Sequence, residues 1–127
     1  MDENISTEWI TVPLCECGQI VSGGTPSTKI SAYWNGDIAW ITPADLSGYT
    51  DKFITRGRKN ITLNGLNNSS ARLMPPGSIL FSSRAPIGYV AIAASELCTN
   101  QGFKSLIPND LIDSTYLYYF FKHAKRL

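Results

Sequence analysis

Two stretches of the chain are apolar almost throughout: Ser78 to Arg84 (SILFSSR) and Ile87 to Ala94 (IGYVAIAA), parted only by Ala85-Pro86. Runs so short and so continuous predict strands covered on both faces, in a buried sheet or the wall of a barrel. Phe103 to Ile107 adds a further strand. Earlier, Trp9 to Val21 (WITVPLCECGQIV) mixes β-branched and apolar residues and breaks at Pro13 and Gly18, which predicts one or two short strands, or a strand and a turn of helix. Asn35-Gly36 is a tight-turn dipeptide ahead of a strand from Asp37 to Thr42. Thr42-Pro43-Ala44-Asp45 then offers a cap, a proline at the first helical position and an acid at the third, so a helix starts there, and Gly48 ends it within a turn or two.

The next stretch, DKFITRGRKNITLNGLNNSSARLMPPGS, is polar and turn-rich. It predicts short strands at 52 to 55 and 61 to 63, a helical turn near Asn68 to Leu73, and an exposed excursion in its middle. Beyond Pro108 the period becomes helical, with Ser114 as the cap. Tyr116, Tyr119, Phe120 and His123 fall on one face and Leu117, Phe121 and Ala124 on another, while Lys122, Lys125 and Arg126 sit in the last turns, where cations favour the helix dipole. Many short strands followed by one helix predict an α+β fold: a barrel-like or irregular sheet core with short helical turns and a C-terminal aromatic helix. No repeat or low-complexity linker divides residues 1–127, so a single domain is expected.

Composition narrows the class. With 127 residues, 43% hydrophobic and 17% charged, the chain can bury roughly two thirds of its unfolded surface. No apolar run approaches the roughly 20 residues of a membrane span, and the start MDENISTEW lacks the order of a signal peptide, so no membrane partner and a cytoplasmic location are expected. Cys15, Cys17 and Cys98 have only His123 to help them hold a metal, and Cys-x-Cys is not the usual ligand spacing. Reduced thiols, no metal and no cofactor are expected. The net charge of +1 is uneven: residues 1–28 hold four acids and no base, hence −4, and the rest holds eleven bases against six acids, hence +5. That mild excess fits a solvated surface as well as a polyanion-binding one.

Catalytic arrangements are missing. His123 lies in KHAKR, no G-x-S-x-G elbow exists, and SGGTPST at residues 22–28 has neither the G-x-x-x-x-G-K-[ST] nor the G-x-G-x-x-G spacing. Asp37 and Asp45 are accounted for by a turn and a cap. No catalytic residue is expected.

The remaining chemistry is donors. Lys52, Arg56, Arg58 and Lys59 fall within eight residues, followed by Asn60, Asn64, Asn67 and Asn68. Such residues serve phosphates and base edges when a rigid scaffold positions them, although a solvated loop has the same composition.

Four stretches together are specific where one alone is weak: WITVPLCECGQIVSGGTPST, YWNGDIAWITPADL, GLNNSSARLMPPGSILFSSRAPIG, and TNQGFKSLIP followed by YLYYFF. In order and approximate spacing they resemble the target recognition domain of the specificity (S) subunit of type I restriction-modification systems, over nearly the whole chain. The resemblance implies two such domains per subunit, separated by helical spacers, each reading half of a split double-stranded DNA target. Modification (methyltransferase) subunits methylate adenine and ATP-dependent restriction subunits cleave. On that pattern this chain supplies recognition only, as an N-terminal half-site module, with no second recognition domain and ending at HAKRL where the first spacer helix begins.

The resemblance also sorts residues. Motifs shared by members with different targets cannot encode the target, so Gly23, Gly24, Pro26, Asn100, Gln101 and Gly102 are assigned to scaffold. Gly23-Gly24 would allow a tight bend, and Gly102 would relieve strain. Asn100 and Gln101, if on a strand, face opposite sides and would not both read one base pair, so at least one is expected to tie down a turn. Base readers are expected in residues 48–62: Arg56, Arg58 and Asn60, with Arg84 outlying. Arg56 and Arg58 would share a face if that segment were a strand. Lys29, Lys52, Lys59, Lys104 and Thr25 are the phosphate candidates. Tyr33, Trp34 and Trp40 could stack on bases, but burial is the commoner use of such rings. Two other readings stay open: an assembly module docking through YLYYFFKHAKRL, and a sequence-independent nucleic-acid binder.

Overall fold

The computed structural model describes residues 18–83, 88–109 and 113–124. The strands are β1 (Gly18–Ser22), β2 (Trp34–Ile41), β3 (Phe53–Ile54), β4 (Lys59–Ile61), β5 (Ile79–Phe81), β6 (Val90–Ala93), β7 (Cys98–Thr99) and β8 (Lys104–Pro108). Between and after them come α1 (Pro43–Leu46), α2 (Leu63–Asn67) and α3 (Ser114–Ala124), and a single 3-10 turn, Ser31–Tyr33, leads into β2. One sheet runs β1-β8-β5-β6-β3 and the other β4-β2-β7. The pairings β3/β6 and β2/β7 are parallel, and the rest are antiparallel. The expected α+β class holds, and the irregular sheet is open: among the described residues neither sheet closes into a barrel.

The continuous apolar runs are explained by burial on both faces of the larger sheet. Ile79, Val90, Ile92 and Leu106 pack with Leu117 and Tyr118 of α3. Leu80, Ala91, Ala93 and Phe103 turn the other way, against Ala39 and Ile41 of β2 and Leu46 of α1. The larger sheet is thus the middle layer. A third cluster, Trp40, Ile61, Ala71 and Cys98, with Trp34, Ile38 and Leu66 against it, lies on the far face of the smaller sheet.

Several local expectations change. Asn35-Gly36 makes a bulge inside β2, since Trp34 and Ile38 both pair with Ile61 and Asn35 takes φ 63°. β4 begins at Lys59 rather than 61, and α2 precedes the expected turn at 68 to 73. Thr62 is the reason: its hydroxyl accepts from Gly65 N (3.0 Å) and donates to Ala32 O (2.7 Å), starting the helix there. Residues 55–58 are loop, so Arg56 and Arg58 do not share a strand face. At α3 the cap is Asp113, whose Oδ1 accepts from Thr115 N at 2.9 Å, while the Ser114 hydroxyl donates to Gly77 O at 2.7 Å. Residues 9–17 of the first predicted strand region, with Cys15 and Cys17, lie outside the described residues, as do Arg84, Lys125 and Arg126.

Candidate nucleic-acid interface

The SGGTPST and TNQGF stretches clasp each other. Gly24 N donates to Thr99 O (3.0 Å), and the Thr25 hydroxyl donates to Gln101 Oε1. A Cβ on Gly23 would collide with the carbonyls of Thr99 and Asn100, and one on Gly24 with Ser70 and Ala71. Neither glycine, nor Gly102, has a positive φ, so close approach of neighbours rather than a left-handed backbone is what calls for glycine at these positions. A Cβ on Gly102 would press on Pro43. Asn100 and Gln101 lie in a turn that Asn100 ties down, its Oδ1 accepting from Gly102 N at 2.9 Å. Pro26 is buried. Two indoles hold the clasp from below, Trp40 Nε1 donating to Gly24 O (2.9 Å) and Trp34 Nε1 to Ser27 O (3.0 Å).

Beside the clasp runs a furrow made of three adjoining concavities. The first, of 280 Å³, is lined by Thr28, Trp34, Asn35 and Lys59. The second, of 350 Å³, shares Lys59 and adds Trp40, Thr42, Asp45 and Arg58. The third, of 340 Å³, shares Asp45 and Arg58 and reaches Arg56 and Tyr49. Lys59 lies with Nζ 5.9 Å from the centre of the Trp34 ring. Tyr49 donates to Phe53 O at 2.5 Å, and its phenol is held above its ordinary pKa by lost solvation and by the charge of Asp51.

Asp45 is the most enclosed charge in the furrow. Its Oδ2 accepts from Thr42 N (2.9 Å), completing the capping box of α1. Its Oδ1 accepts from both the backbone N and the Nε of Arg58, each at 3.2 Å. The Asp45 side chain is 5% exposed and that of Arg58 74%. The sequence marked Asp45 as a cap, but its contact with an arginine thirteen positions on had no signal there.

The remaining candidates are scattered. Asn60 pairs with Ala39, on the face of β4 opposite Lys59, and its Oδ1 is buried with no partner among the described residues. It does not face the furrow. Lys52 lies with Nζ 4.9 Å from the Tyr119 ring centre on α3, and Lys104 Nζ donates to Ser22 Oγ at 2.8 Å. Both are on the α3 side of the larger sheet. Lys29 is exposed next to Thr28. Trp40 is buried, whereas Tyr33 and Trp34 are half-buried.

Cys98 is buried, and burial pushes its thiol up to about 12. In the folded protein the Cys98 thiol is therefore expected to resist alkylation at pH 8 until denaturant is added, by mass spectrometry of labelled peptides. A pKa held above its unfolded value gives stability that is intact below about pH 9 and is lost toward pH 12, at about 1.4 kcal/mol per pH unit. Among the described residues no group of three or more His, Cys, Asp or Glu could hold a metal ion, and no helix is long and apolar enough to cross a membrane.

Comparison with known proteins adds the following. A family model described as type I restriction modification DNA specificity domain matches residues 6–127. The chain is 52% identical over 118 residues to the type I restriction enzyme MjaIX specificity subunit of Methanocaldococcus jannaschii, covering 93% of this chain and 27% of that protein. To the HindI specificity subunit of Haemophilus influenzae it is 32% identical over 110 residues, 87% of this chain and 24% of that one. The crystal structure of the HsdS subunit from Thermoanaerobacter tengcongensis superposes with a TM-score of 0.66 at 26% identity, over 90% of this chain and 27% of that one. A second structure, described as the structural basis underlying complex assembly and conformational transition of the type I R-M system, gives 0.64 at 26% identity, over 87% of this chain and 26% of that one. The chain thus spans about a quarter of the length of the relatives it matches.

Proposed function

The chain belongs to the type I restriction-modification DNA specificity domain family, and from that membership we propose that it reads one half of a two-part double-stranded DNA target within a specificity subunit. It contributes recognition without catalysis, in the cytoplasm. Adenine methylation and DNA cleavage fall to the modification and restriction subunits assembled with it. The observation that carries this reading is the furrow, which gathers Lys59, Arg58 and Arg56 along a wall fixed by Trp40 and α1. Backbone contacts hold register on DNA while a few side chains read base edges, and such a wall offers donors for both.

Salt titration of binding tests the placement. Each phosphate neutralised on duplex DNA contributes a slope of about −0.9 in log K against log salt. Two or three furrow cations give an expected slope of about −2 to −3. Lys59→Ala is expected to flatten it by about 1. Lys52→Ala and Lys104→Ala, on the α3 side, are expected to leave it unchanged. If those two flatten the slope and Lys59→Ala does not, the DNA lies on the other face.

One observation favours assembly as a second role. Tyr116 and Tyr119 of α3 are each 49% exposed, and Phe53, next in the chain to the Lys52 that lies over the Tyr119 ring, is 48% exposed. Salt-independent, DNA-free association lost on Tyr119→Ala would support it.

A further inference from the structure

The two arginines of the R-G-R stretch are held in different ways. Arg58 is fixed at two points by one carboxylate, its backbone N and its Nε both donating to Asp45 Oδ1. Asp45 is in turn fixed by α1 through Thr42 N and the Thr42 hydroxyl. Gly57 makes the approach possible, because a Cβ there would occupy the place of the Asp45 carboxylate. Arg56 has no such partner among the described residues and is exposed.

With Nε engaged, the guanidinium plane and direction of Arg58 are set, and its two terminal nitrogens are the donors left over, on a side chain 74% exposed. Two parallel N–H groups match either the O6/N7 edge of guanine or two phosphate oxygens. The surroundings separate these ligands. A phosphate at the Arg58 fork would bring a full negative charge close to the Asp45 carboxylate, whereas a guanine edge is neutral and presents only two acceptors. Fixed orientation also matters more for a base edge, which must be met in plane, than for a phosphate, which an unheld arginine or a lysine can follow.

We infer that Asp45 is a positioning residue that aims Arg58 at a guanine in the major groove, while Arg56 contacts the phosphate backbone. This rests on the reading of the chain as a sequence-specific DNA-recognition domain. It assigns one G·C pair to the half-target and places its specificity on a pair of residues rather than on the arginine alone.

The test is selection from a pool of DNA duplexes with a randomised site, using the full-length protein that carries this domain, with the bound fraction sequenced. The wild type is expected to enrich guanine at one position by roughly 5- to 150-fold, the range of one bidentate contact. Arg58→Lys keeps the charge and removes the planar fork, and is expected to abolish that enrichment while leaving other positions as they were. Asp45→Asn is expected to do the same at the same position, because one amide oxygen cannot serve both Thr42 and Arg58. Should Asp45→Asn unfold the domain, Gly57→Ala displaces the carboxylate and leaves both charges in place, with the same expected loss. Arg56→Ala, which removes the phosphate-binding charge, is expected to weaken all sequences alike, whereas Arg56→Lys should leave binding nearly as it was.

Retention of the guanine preference by Arg58→Lys, whether overall binding is unchanged or weakened equally for every sequence, would make Arg58 a phosphate contact and overturn the inference. Loss of guanine preference on Arg58→Lys with full retention in Asp45→Asn or Gly57→Ala would overturn the positioning role. If wild-type protein binds all duplexes equally, the underlying reading of sequence-specific recognition itself fails.

Discussion

Truncating Trp40 to alanine is expected to cost about 3–5 kcal/mol of folding free energy, the range for deleting a buried large aromatic. Domains have about 5–15 kcal/mol in total, so the variant should be marginal. Trp40 is 5% exposed and packs edge-on to Trp34, with ring centres 5.0 Å apart and planes at 84°. It fills the outer face of the smaller sheet with Ile61, Ala71 and Cys98, and its Nε1 satisfies the carbonyl of Gly24. Trp40→Phe separates the two contributions. It keeps most of the apolar volume and leaves that carbonyl unpaired, at an expected cost of about 1–3 kcal/mol. Urea denaturation monitored by circular dichroism measures both. A midpoint for Trp40→Ala close to the wild type would mean that the indole is not the support described.

Gly23→Ala is the second large effect, expected at about 2–3 kcal/mol, the upper part of the overpacking range. The added methyl would meet main-chain oxygens of Thr99 and Asn100, which cannot swing aside as a side chain can. Relief requires parting the clasp, with loss of the Gly24 to Thr99 hydrogen bond. Gly48→Ala is the contrast. Gly48 has open space around it and φ 75°, so only backbone strain of about 1–2 kcal/mol is expected. Thermal melts of the two variants should rank them in that order, and the reverse order would show that conformation rather than contact dictates Gly23.

Elements whose cause is local were legible in the sequence. The Thr42 to Asp45 box starts α1, Gly48 ends it, and the apolar runs at β5 and β6 are strands because both their faces are covered. The dipeptide Asn35-Gly36 reads in the sequence as a tight turn ahead of the strand, and the structure places it inside β2 as a bulge, since only the partner strand decides between the two. The site was legible as a cluster of cations and not as a surface. Lys52 and Lys59 are close in sequence, yet β3 joins one sheet and β4 the other, which separates them. Asn60 looked equivalent to Lys59 until the pairing of β4 with β2 set alternate residues to opposite faces. The roles of Gly23, Gly24 and Gly102 come from neighbours far along the chain, whereas glycine in a sequence suggests only conformational freedom.

The parallel joining of β2 to β7 bears on how the domain is made. Ala39 and Cys98 touch across it, 59 residues apart. A ribosome delivers the R-G-R stretch, Lys59 and both indoles well before it delivers β7. Until Cys98 and Thr99 emerge, β2 has one neighbour and an open edge, and the clasp has only one half. Long-range closure of this kind comes late in folding. The basic residues of the furrow are therefore contiguous in the message, but the shape that gives them a direction waits for the last third of the chain.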